Sequence, residues 1–166
     1  MLVVPEPVEG LLTIQLLIPT PFSRSLAVEV NDDTIVASSW ASVRAATEMP
    51  KTKRGSLAAE VVRQVSAYAM KRLVVFDLPL DLSGTEFELA VWRAVMTIPF
   101  GISVSYSEVA RAIDRPAAHR GVARAMASLQ YALFVPAHRV VGADGKVKGA
   151  AANSMRTRLL AFEKRK

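Results

Sequence analysis

The sequence predicts an α/β N-terminal domain, with a three-stranded antiparallel sheet and a helix, followed by a mainly α domain that contains a helix-turn-helix. Three observations support this prediction. Short β-rich runs separated by turn residues extend from residue 11 to residue 40, helical periodicity dominates after residue 85, and a segment containing proline and glycine separates the two patterns. The predicted domains are residues 1–80 and 81–166.

The N-terminal pattern predicts three strands, at residues 12–18, 25–30 and 34–38. Turn residues interrupt the pattern at 19–21, which hold two prolines, and at Asn31-Asp32-Asp33. Residues 1–10 are expected to form a tail, and residues 47–55 a loop. Ser56 is then expected to open a helix, because apolar side chains recur on one side at Leu57, Val61, Val65 and Tyr68.

The C-terminal pattern predicts several helices with identifiable starts. Pro79 and Gly84 indicate an extended linker, and two capping boxes follow it, Thr85 with Glu88 and Ser105 with Glu108. Pro116 suits the first position of a third helix that runs to Ala127. The last two of these helices fit a helix-turn-helix, with a packed helical hairpin as the alternative. A terminal helix is expected after a cap at Asn153 or Ser154.

The net charge of +6 is concentrated in the last third of the chain. Residues 1–84 and 85–115 each carry a balance of −1, whereas residues 116–166 hold 10 lysines and arginines against 2 acidic residues. A polyanion would therefore be attracted to one end of the molecule. A solvated basic surface is the alternative.

Composition also excludes several classes of protein. The chain has no cysteine, so it has no disulfide, no cysteine-ligated zinc and no thiol nucleophile. It has only two histidines, His119 and His138, without clustered carboxylates, so neither a metal site nor a cofactor is expected. No apolar run reaches the roughly 18–20 residues of a membrane span, and no secretory signal is evident. A cytoplasmic protein, nucleoid-associated if bacterial, is expected.

The segment Val135-Pro136-Ala137-His138-Arg139-Val140-Val141 resembles the reactive-site motif of the O6-alkylguanine-DNA alkyltransferases, Pro-Cys-His-Arg followed by apolar residues. Further segments follow in the order of that family, at residues 76–87, 91–92, 98–101, 105–106, 115–116, 120 and 159–163. The resemblance covers about residues 60–163. It implies a ribonuclease-H-like N-terminal domain and a winged-helix-like C-terminal domain.

The family transfers an alkyl group from a flipped guanine to the cysteine of this motif, and Ala137 occupies that position here. A methyl side chain has no lone pair with which to attack, so we expect the protein not to be an enzyme. The matching His138 and Glu163 are retained and are expected to form a buried, hydrogen-bonded structural pair. Other positions depart from the family pattern as well: Leu129, Gly149, Ala150 and Arg156.

The resemblance also implies a DNA interface and a lesion pocket. Tyr106 matches the residue that rotates the phosphate 3′ to the lesion, and Arg120 matches the finger that fills the gap in the base stack. The alternatives are a core position for Tyr106 and a surface salt bridge for Arg120. The expected DNA-binding residues are Tyr106, Ala118, His119, Arg120, Gly121 and Arg124. The expected pocket residues are Tyr106, Met126, Val135, Pro136, Ala137, Arg139, Gly149 and Ala150.

The resulting functional hypothesis is a monomeric DNA-damage-binding protein, similar to the alkyltransferase-like proteins. It would recognise O6-alkylguanine in double-stranded DNA by minor-groove binding and base flipping, and flag the lesion for nucleotide excision repair proteins. One alternative is a degenerate family member that acts as a nonspecific DNA-binding or regulatory module. Another is a Cys-to-Ala variant of an active methylated-DNA–protein-cysteine methyltransferase. A third is an enzyme that uses another nucleophile near Ala137.

Overall fold

A computed structural model describes residues 12–41, 46–149 and 154–165 of the 166-residue chain. The strands and helices in chain order are β1 (Ile14–Ile18), β2 (Leu26–Val30), β3 (Ile35–Trp40), α1 (Leu57–Ala69), α2 (Glu86–Met96), β4 (Val104–Ser105), α3 (Tyr106–Ala112), α4 (His119–Ala127), a 3-10 helix (Ala137–Arg139), β5 (Val140–Val141) and α5 (Met155–Lys164). The predicted fold class, a three-stranded antiparallel sheet with a helix followed by a helical part, is confirmed. The predicted N-terminal tail, residues 1–10, lies outside the described residues.

The sheet is a meander in the order β1-β2-β3, with every pair antiparallel. Its second turn forms because the Asn31 side-chain oxygen accepts hydrogen bonds from the backbone amides of Asp33 at 2.9 Å and Thr34 at 2.7 Å. The outer edge of β3 pairs with two segments distant in sequence. The Ile35 amide donates to the Pro79 carbonyl at 2.8 Å, and the Ser38 amide donates to the Gln130 carbonyl at 2.8 Å. The linker at Pro79 and the C-terminal half together therefore cover this sheet edge.

Side chains cap four of the five α-helices found in the described residues at their first turn. Ser56 and Ser154 cap α1 and α5, and complete capping boxes start α2 at Thr85 and α3 at Ser105. These caps satisfy backbone amides that have no partner within the helix. Asn153, the other predicted cap of α5, lies outside the described residues.

Replacing Ser105 with alanine is expected to lower the free energy of unfolding by about 1 kcal/mol, because the amide of Glu108 loses its acceptor. Ser107→Ala, two residues further along the exposed side of α3, is the matched control and should change the stability by less than about 0.5 kcal/mol. Urea denaturation measures both values. Equal effects of the two substitutions would contradict the importance of this cap.

The prediction that α4 begins at Pro116 is wrong. Asp114 adopts a left-handed conformation, with φ of 57°, which ends α3 and turns the chain. The Ala118 amide then donates to the Arg115 carbonyl at 2.8 Å, so Pro116 lies inside a tight turn. The helix begins three residues later, at His119, and its preceding residue Ala118 supplies no side-chain cap.

Buried apolar side chains from both halves form one continuous core. It includes Ile18, Leu26 and Val65 from the first half and Val91, Met126 and Leu159 from the second. The α2 helix is tied to α4 by the indole of Trp92, which donates to the Ala125 carbonyl at 2.9 Å. The boundary between residues 80 and 81 stays a prediction. Among the described residues, no helix is both long and apolar enough to cross a membrane.

Candidate nucleic-acid interface and the buried carboxylate of Glu163

The carboxylate of Glu163, on α5, accepts five hydrogen bonds in the interior of the protein. Oε1 accepts from the Tyr68 hydroxyl at 2.7 Å, from His138 Nε2 at 2.7 Å and from Arg139 Nη2 at 2.9 Å. Oε2 accepts from Arg139 Nε at 2.9 Å and from the Gly101 amide at 3.1 Å. The expected pair of His138 and Glu163 is thus part of a larger network that joins α1, the loop after α2, the 3-10 helix and α5.

Arg139 is committed to this network, which differs from its predicted place in a pocket wall. Its guanidinium binds both oxygens of Glu163 and donates through Nη1 to the Ile98 carbonyl at 2.6 Å. Because the side chain is buried, these bonds are needed to offset the loss of hydration. The sequence did carry a signal for this pairing, since Glu163 and Asp144 are the only acidic residues after position 115.

The network holds a charged glutamate next to a neutral histidine. Burial opposes the charged form of Glu163, but hydrogen bonds from His138 and Arg139 outweigh it and hold the pKa below its ordinary value. Burial also lowers the pKa of His138, against the attraction of Glu163. For Tyr68, burial and then the charge of Glu163 raise the pKa, so the phenol stays protonated and donates. A neutral His138 that donates from Nε2 leaves Nδ1 unprotonated.

The segment before His138 is tightly packed. Leu133 is buried in a left-handed conformation, with φ of 72°, and Val135 and Pro136 are buried after it. Ala137 is only 8% exposed. Bulky left-handed residues are unusual and occur at sites where the surrounding structure holds the strain. The residues on both sides of position 137 are therefore packed in the core.

Four further predicted pocket residues are Met126, Val135, Gly149 and Ala150. Met126 and Val135 are core residues with at most 1% exposure, so they do not line an open surface. Gly149 is exposed, with nothing within 4 Å of a Cβ placed on it. Ala150 lies outside the described residues. Two surface cavities, of about 620 and 440 Å³, are lined by other residues.

The larger cavity is a groove between the start of α2 and α4, and all the predicted DNA-binding residues of α4 except His119 line it. Arg120, Gly121 and Arg124 contribute from α4, and Phe87 contributes from α2. A Cβ on Gly121 would meet Phe87 Cζ at 3.0 Å. Gly121 therefore permits the close packing of α2 on α4. This packing explains the glycine without reference to a nucleic acid.

The cationic side chains of α4 are open to solvent. His119, Arg120 and Arg124 are exposed, and Ala118 is half-buried. Within the described ranges, neither Arg120 nor Arg124 forms an ion pair with an acidic side chain. The alternative of a surface salt bridge for Arg120 is thus absent from the described part of the chain. The helix presents unneutralised positive charge beside the groove.

Three further positions singled out in the sequence are Tyr106, Leu129 and Arg156. Tyr106 is the first residue of α3 and is half-buried against the core, which is compatible with the core alternative and leaves part of its surface accessible. Leu129 also packs against the core. Arg156 Nη2 donates to the Met126 carbonyl at 2.9 Å and so joins α5 to α4. Sequence reasoning missed Tyr68 and Gly101, because nothing local marks them as partners of Glu163.

A family model described as the DNA-binding domain of 6-O-methylguanine DNA methyltransferase matches residues 86–165. The chain is 43% identical over 120 residues to the methylated-DNA–protein-cysteine methyltransferase of Mycolicibacterium paratuberculosis, covering 72% of this chain and 70% of the relative. The chain therefore belongs to the O6-methylguanine DNA methyltransferase family.

Solved structures agree with this assignment. The O6-methylguanine methyltransferase of Mycobacterium tuberculosis is similar with a TM-score of 0.76 and 33% identity, over 92% of this chain and 93% of that one. A structure described as Mycobacterium tuberculosis OGT in complex with DNA is similar with a TM-score of 0.72 and 32% identity, over 92% and 91% of the two chains. Both comparisons include the N-terminal half as well as the family domain.

The expectation that the protein is not an enzyme is contradicted by these comparisons. Relatives at 43% and 45% identity are named methylated-DNA–protein-cysteine methyltransferases, and the family is enzymatic. The expectation depended on one position, Ala137, whereas the relationship extends over 120 residues. The chain itself contains no cysteine. Alignments with other curated relatives span 55% and 63% of those relatives' own length.

Proposed function

We propose that this protein recognises O6-alkylguanine in duplex DNA, with α3 and α4 acting as a helix-turn-helix in the minor groove and the lesion flipped toward the loop that carries Ala137. The observation that carries the proposal is the exposed, unneutralised pair Arg120 and Arg124 on α4. An arginine suits the gap left by a flipped base, because its planar guanidinium stacks on bases and forms hydrogen bonds at the same time.

Lesion preference has a physical source in this arrangement. Extruding a base costs a few kcal/mol, and the cost is smaller when alkylation has already weakened the base pair. Close approach of the start of α4 is favoured by the small side chain of Ala118, the residue that precedes it. His119 is larger and limits how deeply the start of α4 enters a groove. The proposal includes residues 81–166 as the recognising domain, a cytoplasmic or nucleoid location, and a monomeric state.

In this proposal the bound protein marks the lesion for nucleotide excision repair proteins, as the resemblance to alkyltransferase-like proteins implies. The binding step is the part that the described residues support. A second candidate function is nonspecific DNA binding, which is favoured by the excess positive charge after residue 115. The two candidates differ in one measurable quantity, the ratio of affinities for damaged and undamaged duplexes.

The test compares two duplexes that differ only by one O6-methylguanine, at about 0.15 M salt. The wild-type protein is expected to prefer the lesion at least tenfold, about 1.4 kcal/mol, and Arg120→Ala should remove the preference. Fluorescence anisotropy gives both affinities. Arg63→Ala removes the same charge from the exposed face of α1 and is the matched control, which should keep the preference. Equal binding of both duplexes by the wild-type protein would favour the nonspecific module.

A further inference from the structure

One donor to Glu163 comes from the N-terminal half of the chain. Tyr68 lies at the end of α1, is fully buried, and reaches a carboxylate 95 positions away in sequence. Its ring also packs against Phe22, Phe76, Phe100 and Phe162, with centroid distances between 5.3 and 6.3 Å. This packing fixes the direction of the phenol. The Tyr68 hydroxyl therefore donates to the Glu163 carboxylate from a fixed position.

Tyr68 and His138 share one oxygen atom. Glu163 Oε1 accepts from the Tyr68 hydroxyl at 2.7 Å and from His138 Nε2 at 2.7 Å, with Arg139 Nη2 at 2.9 Å as the third donor. Each donor withdraws negative charge from the oxygen that the others use. The strength with which Oε1 attracts the imidazole proton thus depends on whether the Tyr68 hydroxyl is present.

We propose that Tyr68 is a positioning residue of the candidate lesion site: its hydroxyl holds the Glu163 carboxylate in place and sets how strongly that carboxylate holds His138 beside Ala137. Through this contact the N-terminal half controls the loop on which the lesion would lie. The inference rests on the proposed function for its effect on DNA, whereas its effect on His138 can be measured without DNA.

A second contact links the same parts. The Phe76 ring, at the end of the segment after α1, meets the Phe134 ring edge to face at 5.2 Å. Phe134 lies three residues before Ala137, in the tightly packed loop. The groups that bear on the titration of His138 are Glu163, Arg139 and Arg156. Of these, Glu163 accepts a hydrogen bond from Tyr68 and transmits its effect, while the charge of Arg139 also acts on Tyr68.

The first measurement is nitrogen NMR of the His138 ring in the wild-type protein and in Tyr68→Phe. The wild-type ring should be neutral and protonated on Nε2. In Tyr68→Phe, Oε1 keeps more negative charge, so the pKa of His138 is expected to rise relative to the wild type. The chain has two histidines, so His119→Gln identifies the remaining signal.

Tyr131→Phe is the matched control, because its buried hydroxyl donates to the Asp81 carbonyl and has no contact with Glu163. Both substitutions remove a buried hydroxyl, but only Tyr68→Phe should shift the His138 signal. An unchanged signal in Tyr68→Phe, or an equal shift in Tyr131→Phe, would overturn the inference. If Tyr68→Phe does not fold, a second experiment uses the double variant Tyr106→Phe/Tyr131→Phe, in which Tyr68 is the one remaining tyrosine. Incorporation of 3-fluorotyrosine then makes the Tyr68 hydroxyl a stronger hydrogen-bond donor. The His138 titration should then move to lower pH, and an unchanged titration would again overturn the inference.

The second measurement is lesion preference. Tyr68→Phe should lose at least threefold of the preference for an O6-methylguanine duplex, while its affinity for the undamaged duplex stays unchanged. Tyr131→Phe should keep both values. If the wild-type protein shows no lesion preference, the proposed function fails, and the NMR measurement alone decides whether Tyr68 positions His138. If Tyr68→Phe lowers the affinities for the damaged and the undamaged duplex by the same factor, Tyr68 has only a structural role and the inferred effect on lesion preference is overturned.

Discussion

Ala137→Cys is expected to make the protein take up one methyl group from an O6-methylguanine duplex. The thiol would lose its proton, with the unprotonated Nδ1 of His138 as the acceptor, and the thiolate would attack the methyl carbon. The bond from that carbon to O6 would break, and its electron pair would pass to the guanine, which takes a proton on a ring nitrogen and regains its O6 carbonyl. The neighbouring groups for this chemistry are present. His138 is neutral, its Nδ1 is unprotonated, and Glu163 and Arg139 hold the ring in place.

Mass spectrometry of the intact protein measures the transfer directly. Ala137→Ser is the control, because a hydroxyl at the same position is a much weaker nucleophile at neutral pH. The wild-type chain, which contains no cysteine, gives the baseline, and an equal mass gain there would identify a different acceptor group. If Ala137→Cys binds the damaged duplex without a mass gain, the pocket no longer places the guanine against residue 137. The departures at Leu129 and Gly149 would then be the first positions to restore.

Glu163→Gln should lower the free energy of unfolding by about 3–5 kcal/mol, because it leaves Arg139 charged and buried without a counter-ion. Glu60→Gln removes a carboxylate from an exposed pair with Arg63 and should cost at most about 1 kcal/mol. Urea denaturation at neutral pH measures both. Similar losses for the two variants would contradict the importance of the buried network.

The same substitution should change the dependence of stability on pH. Burial opposes ionisation of Glu163, but bonds from His138 and Arg139 prevail and hold its pKa below the ordinary value of 4.5. The stabilisation is therefore fully present above pH 4.5 and is lost as the pH falls toward the lowered pKa. Unfolding measured from pH 6 to 3 should show a steeper decline for the wild type than for Glu163→Gln.

The sequence predicted those features that local rules determine. Strand runs, the turn at Asn31 and the capping boxes at Thr85 and Ser105 depend on residues within a few positions of each other, and all were found at the expected places. The start of α4 was predicted wrongly at Pro116. Asp114 adopts a left-handed conformation, and the residues that follow it form a turn before the helix begins. The preference of proline for the first position of a helix therefore did not determine where α4 begins.

The candidate site was predicted less completely, since its geometry depends on contacts between distant segments. The family resemblance identified His138 and Glu163, but the bond from Tyr68 crosses 95 positions and has no local signature. Arg139 was assigned to a pocket because the motif places it near Ala137. Its burial and the scarcity of acidic residues after position 115 explain why it turns inward to Glu163.

The outer edge of β3 is completed by residues from beyond the linker, with Ser38 bonded to Gln130 and Ala132. A protease cut between Asp81 and Gly84 would thus divide the polypeptide without creating two independent folding units. Each fragment would keep only part of the shared hydrophobic core, and it would need the other fragment in order to refold. Although the linker separates the two halves in sequence, we expect them to unfold together in one cooperative transition.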